Sequence, residues 1–222
     1  MPTNKSEFTF TNLEGPLVEK FKKENMSCYP EGLVRITPSE CCMLPEYQKH
    51  ADKIRRFTVR KDDVWVVTYP KCGTTWTQEM VWLLLNNLDY ETAKKVPLTT
   101  RSPFFEFGCL FSNGGADTLN DAENLESPRI IKSHLNLELL PEQLLTVKPK
   151  IIYVAREAKD SAVSYFHHHR LMFVYTGTLD DFVDAYTAGI VLNGGQWNHV
   201  LEFWKIRHEP NILFNTFEEM KK

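Results

Sequence analysis

The passage that most restricts what this chain can fold into runs from Val64-Trp65-Val66-Val67, through Thr68-Tyr69-Pro70-Lys71-Cys72-Gly73-Thr74-Thr75-Trp76, into Thr77-Gln78-Glu79-Met80-Val81-Trp82-Leu83-Leu84-Leu85. The first run is apolar and β-branched and reads as a short strand buried on both faces. The last sets Trp76, Met80, Leu83 and Leu84 on one side at helical spacing. Between them lie a proline, a lysine, a glycine and two threonines, so the passage is a strand, a tight turn and a helix start. The first amides of a helix have no intrahelical acceptors and sit at the positive end of its dipole, so such a turn can hold an anion, usually a phosphate. Gly73 lets the backbone come close to it, Thr74 and Thr75 offer hydroxyls, and Lys71 adds a full charge. The lysine precedes the glycine and no G-x-x-x-x-G-K-[ST] pattern is present, which separates this turn from the usual nucleotide-triphosphate loop. On the turn alone, an ordinary βα connection with a solvent-facing lysine stays open.

Two further strands carry charged groups at their carboxyl ends. In Arg129-Ile130-Ile131-Lys132-Ser133-His134 the isoleucines suit a buried strand, and Lys132 and His134 then share one face at its end. Lys150-Ile151-Ile152-Tyr153-Val154-Ala155-Arg156 is the second, followed by a helix from Ala158 with Asp160 as its expected N-cap. Arg156 and Ser164 are spaced to grip one phosphate from two directions, and a guanidinium fork matches phosphate oxygens. A plain salt bridge is the competing role for Arg156, and a structural histidine that for His134. Strands alternating with helices predict an α/β fold with a central parallel sheet flanked by helices. In open sheets of that kind ligands bind at the carboxyl ends.

Around these elements the reading is coarser. Phe8-Thr9-Phe10 suggests a strand, Glu14-Gly15-Pro16 a turn, and Pro38-Ser39-Glu40 with Glu46 to His50 a short helix continued by Lys53 to Arg56. Residues 1–60 are expected to cover the sheet within the same domain. Asp89 to Lys95 predicts a helix stopping before Pro97. In Arg101-Ser102-Pro103-Phe104-Phe105-Glu106-Phe107 the aromatics are either core or the wall of an apolar ligand pocket. Ser112 to Pro128, rich in Asn, Gly, Asp and Glu, reads as a long loop and a lid. Helices are expected over Leu179–Ala188 and Gln196–His208, the latter with Trp197, Val200, Leu201 and Trp204 on one face. A strand, Asn211 to Phe217, follows, and then a helix start where the chain ends, as if truncated. His167-His168-His169 invites a metal reading, yet consecutive helical residues point about 100° apart, so no metal is expected.

Net charge of −3 argues against nucleic-acid or membrane-surface partners, so any anion site is local. The N-terminus, Met1 to Ser6, lacks a signal-peptide apolar region, and no apolar run approaches the roughly 18–20 residues that span a bilayer. Five cysteines (Cys28, Cys41, Cys42, Cys72, Cys109) without framework spacing fit a reducing compartment, hence a cytoplasmic location.

With these residues on the page, the chain resembles the cytosolic sulfotransferases, which use 3′-phosphoadenosine 5′-phosphosulfate (PAPS), from about Val64 to Lys222, with a looser match before it. Thr68 to Trp76 is similar to the family's 5′-phosphosulfate loop, and Tyr153 to Tyr165 to its 3′-phosphate motif. Lys132-Ser133-His134-Leu135 is similar to the segment carrying the catalytic histidine, and Pro103 to Phe107 to an acceptor-pocket segment. The resemblance implies a P-loop-like sulfotransferase fold over residues 1–222, lacking its C-terminal part, with PAPS as co-substrate and no metal. It implies that His134 is the general base, which must be neutral, as a pKa near the reference of about 6.5 permits at physiological pH. Lys71 and the loop from Cys72 through Gly73, Thr74 and Thr75 to Trp76 would stabilise the leaving phosphate, with Lys132 beside the transferred group. Trp76 and Phe217 would flank the adenine, Arg156 and Ser164 would hold the 3′-phosphate, and Phe104 and Phe107 would line a pocket for a phenol, steroid-like or other apolar alcohol.

Three departures stand out. Cys72 replaces a frequent serine, Phe217 replaces a common tyrosine, and the C-terminal Arg-Lys-Gly…Gly-Asp-Trp segment and dimer motif are missing. Weak or absent turnover of the 222-residue form is therefore expected, with a homodimer only where that segment is present. A binding protein without productive transfer and a nucleotide kinase are the alternatives, and the missing Walker pair weighs against the kinase. Some relatives pass through a sulfonated intermediate to a dehydrated product, so the final product class stays open.

Overall fold

A computed structural model describes residues 8–25, 29–110 and 117–222. The Met1 to Ser6 segment and Cys28 lie outside them. A short N-terminal sheet comes first: β1 (Thr9–Asn12), then helix α1 (Pro16–Glu24), then β2 (Val34–Thr37) and β3 (Cys41–Met43), antiparallel in the order β1-β2-β3. Phe8 to Phe10 thus opens on a strand as expected. Pro38-Ser39-Glu40 does not open a helix: it is the turn between β2 and β3, where the Ser39 hydroxyl donates to the Ile36 carbonyl at 3.1 Å. The helix there is α2, Tyr47–Arg55, which buries Tyr47, Ala51 and Ile54 on one face.

The central sheet is built from β4 (Val64–Thr68), β5 (Ile130–Ser133), β6 (Lys150–Ala155) and β7 (Ile212–Thr216), all parallel, in the order β5-β4-β6-β7. All five residues of β4 are buried, as a strand covered on both faces requires. From β4 the chain passes through α3 (Thr74–Leu85), α4 (Tyr90–Lys95), α5 (Leu98–Arg101) and α6 (Thr118–Asn124) to β5 on one side. It then returns through α7 (Leu144–Val147) to β6 on the other side, and proceeds through α8 (Ala158–Met172), α9 (Leu179–Thr187) and α10 (Gln196–Ile206) to β7. Connections leaving β4 and β6 therefore diverge, opening a crevice at their carboxyl ends.

Several expectations change at this level. The inner face of α3 is Thr74, Thr77, Gln78, Val81 and Trp82, whereas Trp76 and Leu84 are 42% and 73% exposed. Polar groups can face inward because they are bonded: Thr77 Oγ1 donates to the Gly73 carbonyl at 3.1 Å, and Gln78 Nε2 donates to the Ser102 carbonyl at the same distance. Likewise α10 buries Gln196, His199 and Phe203 and turns Trp197 and Trp204 outward. Of the expected loop from Ser112 to Pro128, residues 112–116 lie outside the described ones, and the rest holds a helix, α6, capped by the Asp117 carboxylate accepting from the Asn120 amide.

One ion pair fastens the amino ends of β4 and β5. Arg129 donates through Nε and Nη2 to the two carboxylate oxygens of Asp63, at 2.7 and 2.6 Å, and both side chains are buried. Its remaining donors reach the Ala122 and Thr58 carbonyls. Removing one partner of a buried pair strands the other charge, which costs about 3–5 kcal/mol. Asp63→Asn is therefore expected to lower the melting temperature by on the order of 10 °C, read by circular dichroism. A shift under about 2 °C would mean the pair contributes nothing.

Candidate active site

The crevice brings together the groups that follow the carboxyl ends of three neighbouring strands. After β4, Lys71 adopts a left-handed conformation (φ 67°) and Gly73 another (φ 99°), after which α3 begins. At Gly73 a Cβ would lie 2.7 Å from Cδ2 of Phe217, so the ring of Phe217 covers this glycine as closely as a side chain can. Thr74 is buried and its hydroxyl pairs with that of Thr68 at 2.6 Å, so its amide is what it offers an anion, while Thr75 is exposed. Cys72 points its thiol inward, 3.8 Å from both Ser161 Oγ and Gln196 Nε2, and burial pushes it up to about 12. The thiol is thus inert packing, and the Cys72 amide is its only contribution to the loop.

After β6, Arg156 donates to the Lys71 carbonyl at 2.9 Å and lies over the Phe217 ring, 4.3 Å from its centre. The Lys221 ammonium approaches the same ring at 4.7 Å, and Trp76 meets it edge-on at 6.0 Å. Arg156 Nε is buried without a partner, an unsatisfied donor beside the first amides of α3. Asp160 is not the N-cap of α8. Glu157 caps it, and Asp160 sits one turn in, 3.9 Å from Arg156. Ser164 is half-buried on the same helix.

After β5, the expected sharing of one face by Lys132 and His134 appears as a common partner. The Lys132 ammonium lies 4.0 Å from the centre of the Phe104 ring, and the His134 ring meets Phe104 edge-on at 5.0 Å. His134 Nδ1 is 2.7 Å from the Thr68 carbonyl oxygen. A carbonyl only accepts, so Nδ1 carries the proton and Nε2 keeps its lone pair. Burial, then the Lys132 charge, holds the pKa of His134 well below 6.5. The ring is therefore neutral at physiological pH, as a general base must be, with its titration moved below the reference value. Burial and the neighbouring Arg156 lower Lys71. Burial also lowers Lys132, to about 8, with Glu106 opposing and Lys71 assisting.

The phenylalanine cluster divides between its two candidate roles. Phe105 is core, against Phe57 and Trp65 at 4.8 and 5.0 Å, whereas Phe104 faces the histidine and Phe107 is 41% exposed, 5.8 Å from Phe104. Two groups escaped the sequence reading. Glu106, between the phenylalanines, is buried and bonded to the His134 amide at 2.6 Å. His168, one helical turn beyond Ser164, is held at about 4 by burial, then Lys71 and Lys132, and so faces the same cations. The i,i+4 spacing from Ser164 was the signal that would have found it. Among the described residues no group of three or more His, Cys, Asp or Glu side chains is placed to hold a metal ion, and no helix is long and apolar enough to cross a membrane.

An anion at the β4 turn would meet the free amides of α3 and Lys71, with the spare donor of Arg156 left for a second anion, while a neutral imidazole nitrogen waits beside an aromatic wall. That arrangement can stabilise a leaving phosphate and take a proton from a hydroxyl. Residues 61–222 match the family model described as Sulfotransferase domain. Luciferin sulfotransferase of Photinus pyralis is 40% identical over 205 residues, covering 85% of this chain and 55% of that protein. Sulfotransferase 1A1 of Canis lupus familiaris is 37% identical over 182 residues, covering 81% of this chain and 61% of that protein. Among solved structures, retinol dehydratase in complex with retinol and PAP superimposes with a TM-score of 0.83 at 30% identity, covering 97% of this chain and 72% of that one. A putative steroid sulphotransferase of Arabidopsis thaliana gives 0.72 at 25%, covering 96% of this chain and 70% of that one. The chain thus spans 55–61% of the length of these two curated relatives.

Proposed function

The chain belongs to the sulfotransferase family, and from that premise we propose that it transfers a sulfonate group from PAPS to the hydroxyl of a small apolar acceptor, with His134 as general base. One observation carries the reading: the His134 Nδ1 bond to the Thr68 carbonyl, which leaves Nε2 free beside Phe104 and next to the phosphate-type turn. The donor fits the residues present. The amides of Cys72 to Trp76 with Lys71 suit its 5′-phosphosulfate. Arg156 Nε, buried and unpartnered, suits its 3′-phosphate together with Ser164, and the Trp76 and Phe217 rings suit its adenine. Bound there, the donor supplies the sulfonate group and departs as 3′,5′-adenosine bisphosphate.

The chain's own groups then have separate tasks. His134 Nε2 takes the acceptor proton as the acceptor oxygen bonds to sulfur and the bond from sulfur to the bridging phosphate oxygen breaks. Lys71 and the loop amides meet the charge that grows on that bridging oxygen, and donors preorganised for such charge are each worth about 10²–10³ in rate. Lys132, an ammonium at neutral pH, offsets charge on the transferred group. Phe104 and Phe107 offer the acceptor an apolar wall, of the kind a phenol, a steroid-like or another apolar alcohol would take. The descriptions of similar proteins name luciferin for a sulfotransferase and retinol as a molecule bound to retinol dehydratase. We assign residues 1–222 to a single sulfotransferase domain acting in the cytoplasm, without metal, nucleic acid or membrane partner.

Incubation with ³⁵S-labelled PAPS and a panel of phenols, steroid alcohols and retinol tests the proposal. Labelled product is expected with wild type and should fall about 10²–10³-fold with Lys71→Ala, because the variant loses the cation at the leaving oxygen. Transfer at equal rates by the two proteins would exclude the assigned role of the turn. A wild type that binds adenosine bisphosphate, measured by calorimetry, yet labels no acceptor would leave a binding protein.

A further inference from the structure

Glu106 is fully buried, and both of its carboxylate oxygens are engaged. Oε1 accepts the His134 amide N–H at 2.6 Å, and Oε2 accepts the Ser133 hydroxyl at 2.9 Å, while that hydroxyl oxygen in turn accepts the Leu135 amide at 3.0 Å. One carboxylate therefore pins, directly and through Ser133, the backbone on both sides of the histidine. The segment that carries it is strapped to the same strand: the Phe105 amide donates to the Lys132 carbonyl at 2.8 Å, the Lys132 amide to the Pro103 carbonyl at 3.0 Å, and Phe104 bridges Lys132 in parallel. Wall, cation and imidazole are thus one piece, with Glu106 at its middle.

A hydrogen-bond clamp alone does not need a charge. Burying a carboxyl is unfavourable enough that a neutral isostere would serve a purely structural clamp better. Burial pushes the Glu106 carboxyl up to about 7, so it is ionised above that value, in the range where Lys132 titrates. Within electrostatic reach of Glu106 are Lys132 on β5, Cys41 on β3, Tyr47 on α2 and Cys109 in its own turn. Burial keeps the two thiols and the phenol neutral. Lys132 is left as the cation, which burial and Lys71 push towards losing its proton while Glu106 holds it on.

We propose that Glu106 is the positioning residue of this site: its buried carboxylate clamps the histidine-bearing turn to the aromatic wall and stands as the counter-charge on the segment strapped to Lys132. The sulfonate-transfer reading is needed for the kinetic consequence of this proposal and not for the charge coupling itself. Glu106→Gln preserves shape and an acceptor for the His134 amide but removes the charge. Glu106→Asp preserves the charge but withdraws it from that amide by one methylene.

The test is an NMR titration of ¹³C-lysine-labelled protein from pH 6 to 10, with the Lys132 signal assigned by its loss in Lys132→Met. Lys132 should titrate near 8 in wild type. In Glu106→Gln its midpoint should fall by about one pH unit, the usual minimum effect of a close opposite charge. Glu106→Asp should stay near wild type. In 2-naphthol sulfonation the alkaline limb of kcat should move down by the same amount in Glu106→Gln. Glu106→Asp should keep the limb and lose about tenfold in kcat as the imidazole slackens. Coincident Lys132 titrations in wild type and Glu106→Gln overturn the proposal. If wild type transfers nothing, the titration still decides this point and the failure belongs to the functional reading. If Glu106→Gln does not fold, Glu106→Asp decides, and a midpoint lowered by one unit or more would overturn the counter-charge.

Discussion

His134→Ala should lower kcat for sulfonation of 2-naphthol by about 10²–10⁴-fold, the range general-base catalysis supplies, while the affinity for 3′,5′-adenosine bisphosphate stays within about twofold. Among the described residues the ring's polar contacts are to Thr68, through the carbonyl at 2.7 Å and the hydroxyl at 3.4 Å, so its loss leaves the turn's own donors in place. A deficit confined to kcat is the signature of a group that acts in the transition state and not in ground-state binding. The pH profile sharpens the expectation. A base at the reference pKa would give an acid limb near 6.5, but burial and Lys132 hold His134 well below that value. The imidazole is then already bare at pH 6, and no acid limb near 6.5 should come from it. Glu106 is pushed up by burial to about 7 and is the group beside the site whose protonation falls in that window. An acid limb near 7 that disappears in Glu106→Gln would identify the carboxyl as its source, whereas a limb near 6.5 that vanishes in the alanine variant would return the titration to the imidazole. Alanine also leaves the Thr68 carbonyl with one bond fewer, so a melting curve must accompany the rates; a large melting shift together with lost bisphosphate binding would mean the ring is structural.

How much of this site the sequence revealed depends on how local the determining physics is. The β4 turn was legible because a buried run, a break and a helical run follow one another within a few residues, and the lysine and glycine sit in the break. Lys132 and His134 were legible for the same reason, as polar residues ending an apolar strand. What the sequence hid was set by partners distant in the chain. The inner face of α3 is polar because Gln78 finds Ser102, 24 residues away, and periodicity of apolar residues cannot register that. The strands β2 and β3 have only four and three residues, and Cys41-Cys42-Met43 is buried throughout, so no alternation marks it. Helix α6 lies in a stretch of Asn, Asp and Glu whose composition reads as loop, yet Asp117 caps it and Thr118, Leu119 and Ala122 give it a buried side. Glu106 was passed over between phenylalanines because its meaning lies in the amide of a residue 28 positions on.

The histidines predict a second large effect, on stability. His169 and His199 are wholly buried, and burial holds them at about 3 and about 4, with His134 also well below 6.5. Each ring is bonded as the neutral tautomer. His169 Nδ1 donates to the Tyr165 carbonyl at 3.0 Å, and His199 Nε2 donates to the His134 carbonyl at 3.1 Å while its Nδ1 accepts from the Tyr153 hydroxyl at 2.8 Å. Between these depressed values and 6.5, the unfolded chain binds protons that the folded protein refuses. Stability conferred by such groups is therefore full above about 6.5 and drains as pH falls towards the folded values. Glu106 works in the opposite sense, because its folded value of about 7 exceeds its unfolded 4.5, so the folded state gains a proton over that interval. Glu202 is raised in the same direction. Four histidines, His168 being held at about 4 as well, against these two carboxyls leave a net difference of about two protons, each worth about 1.4 kcal/mol per pH unit. Between pH 6.5 and 4.5 the fold should thus lose on the order of 5 kcal/mol, a large part of the stability of an ordinary domain. Urea midpoints recorded across that range should fall steadily, and His169→Gln, with one depressed group removed, should flatten the slope by about one proton. Below pH 4.5 the two carboxyls stop compensating and the decline should steepen. A midpoint constant from pH 6.5 to 4.5 would mean that the buried rings accept protons in place, and with that the neutral His134 required for proton abstraction would be lost as well.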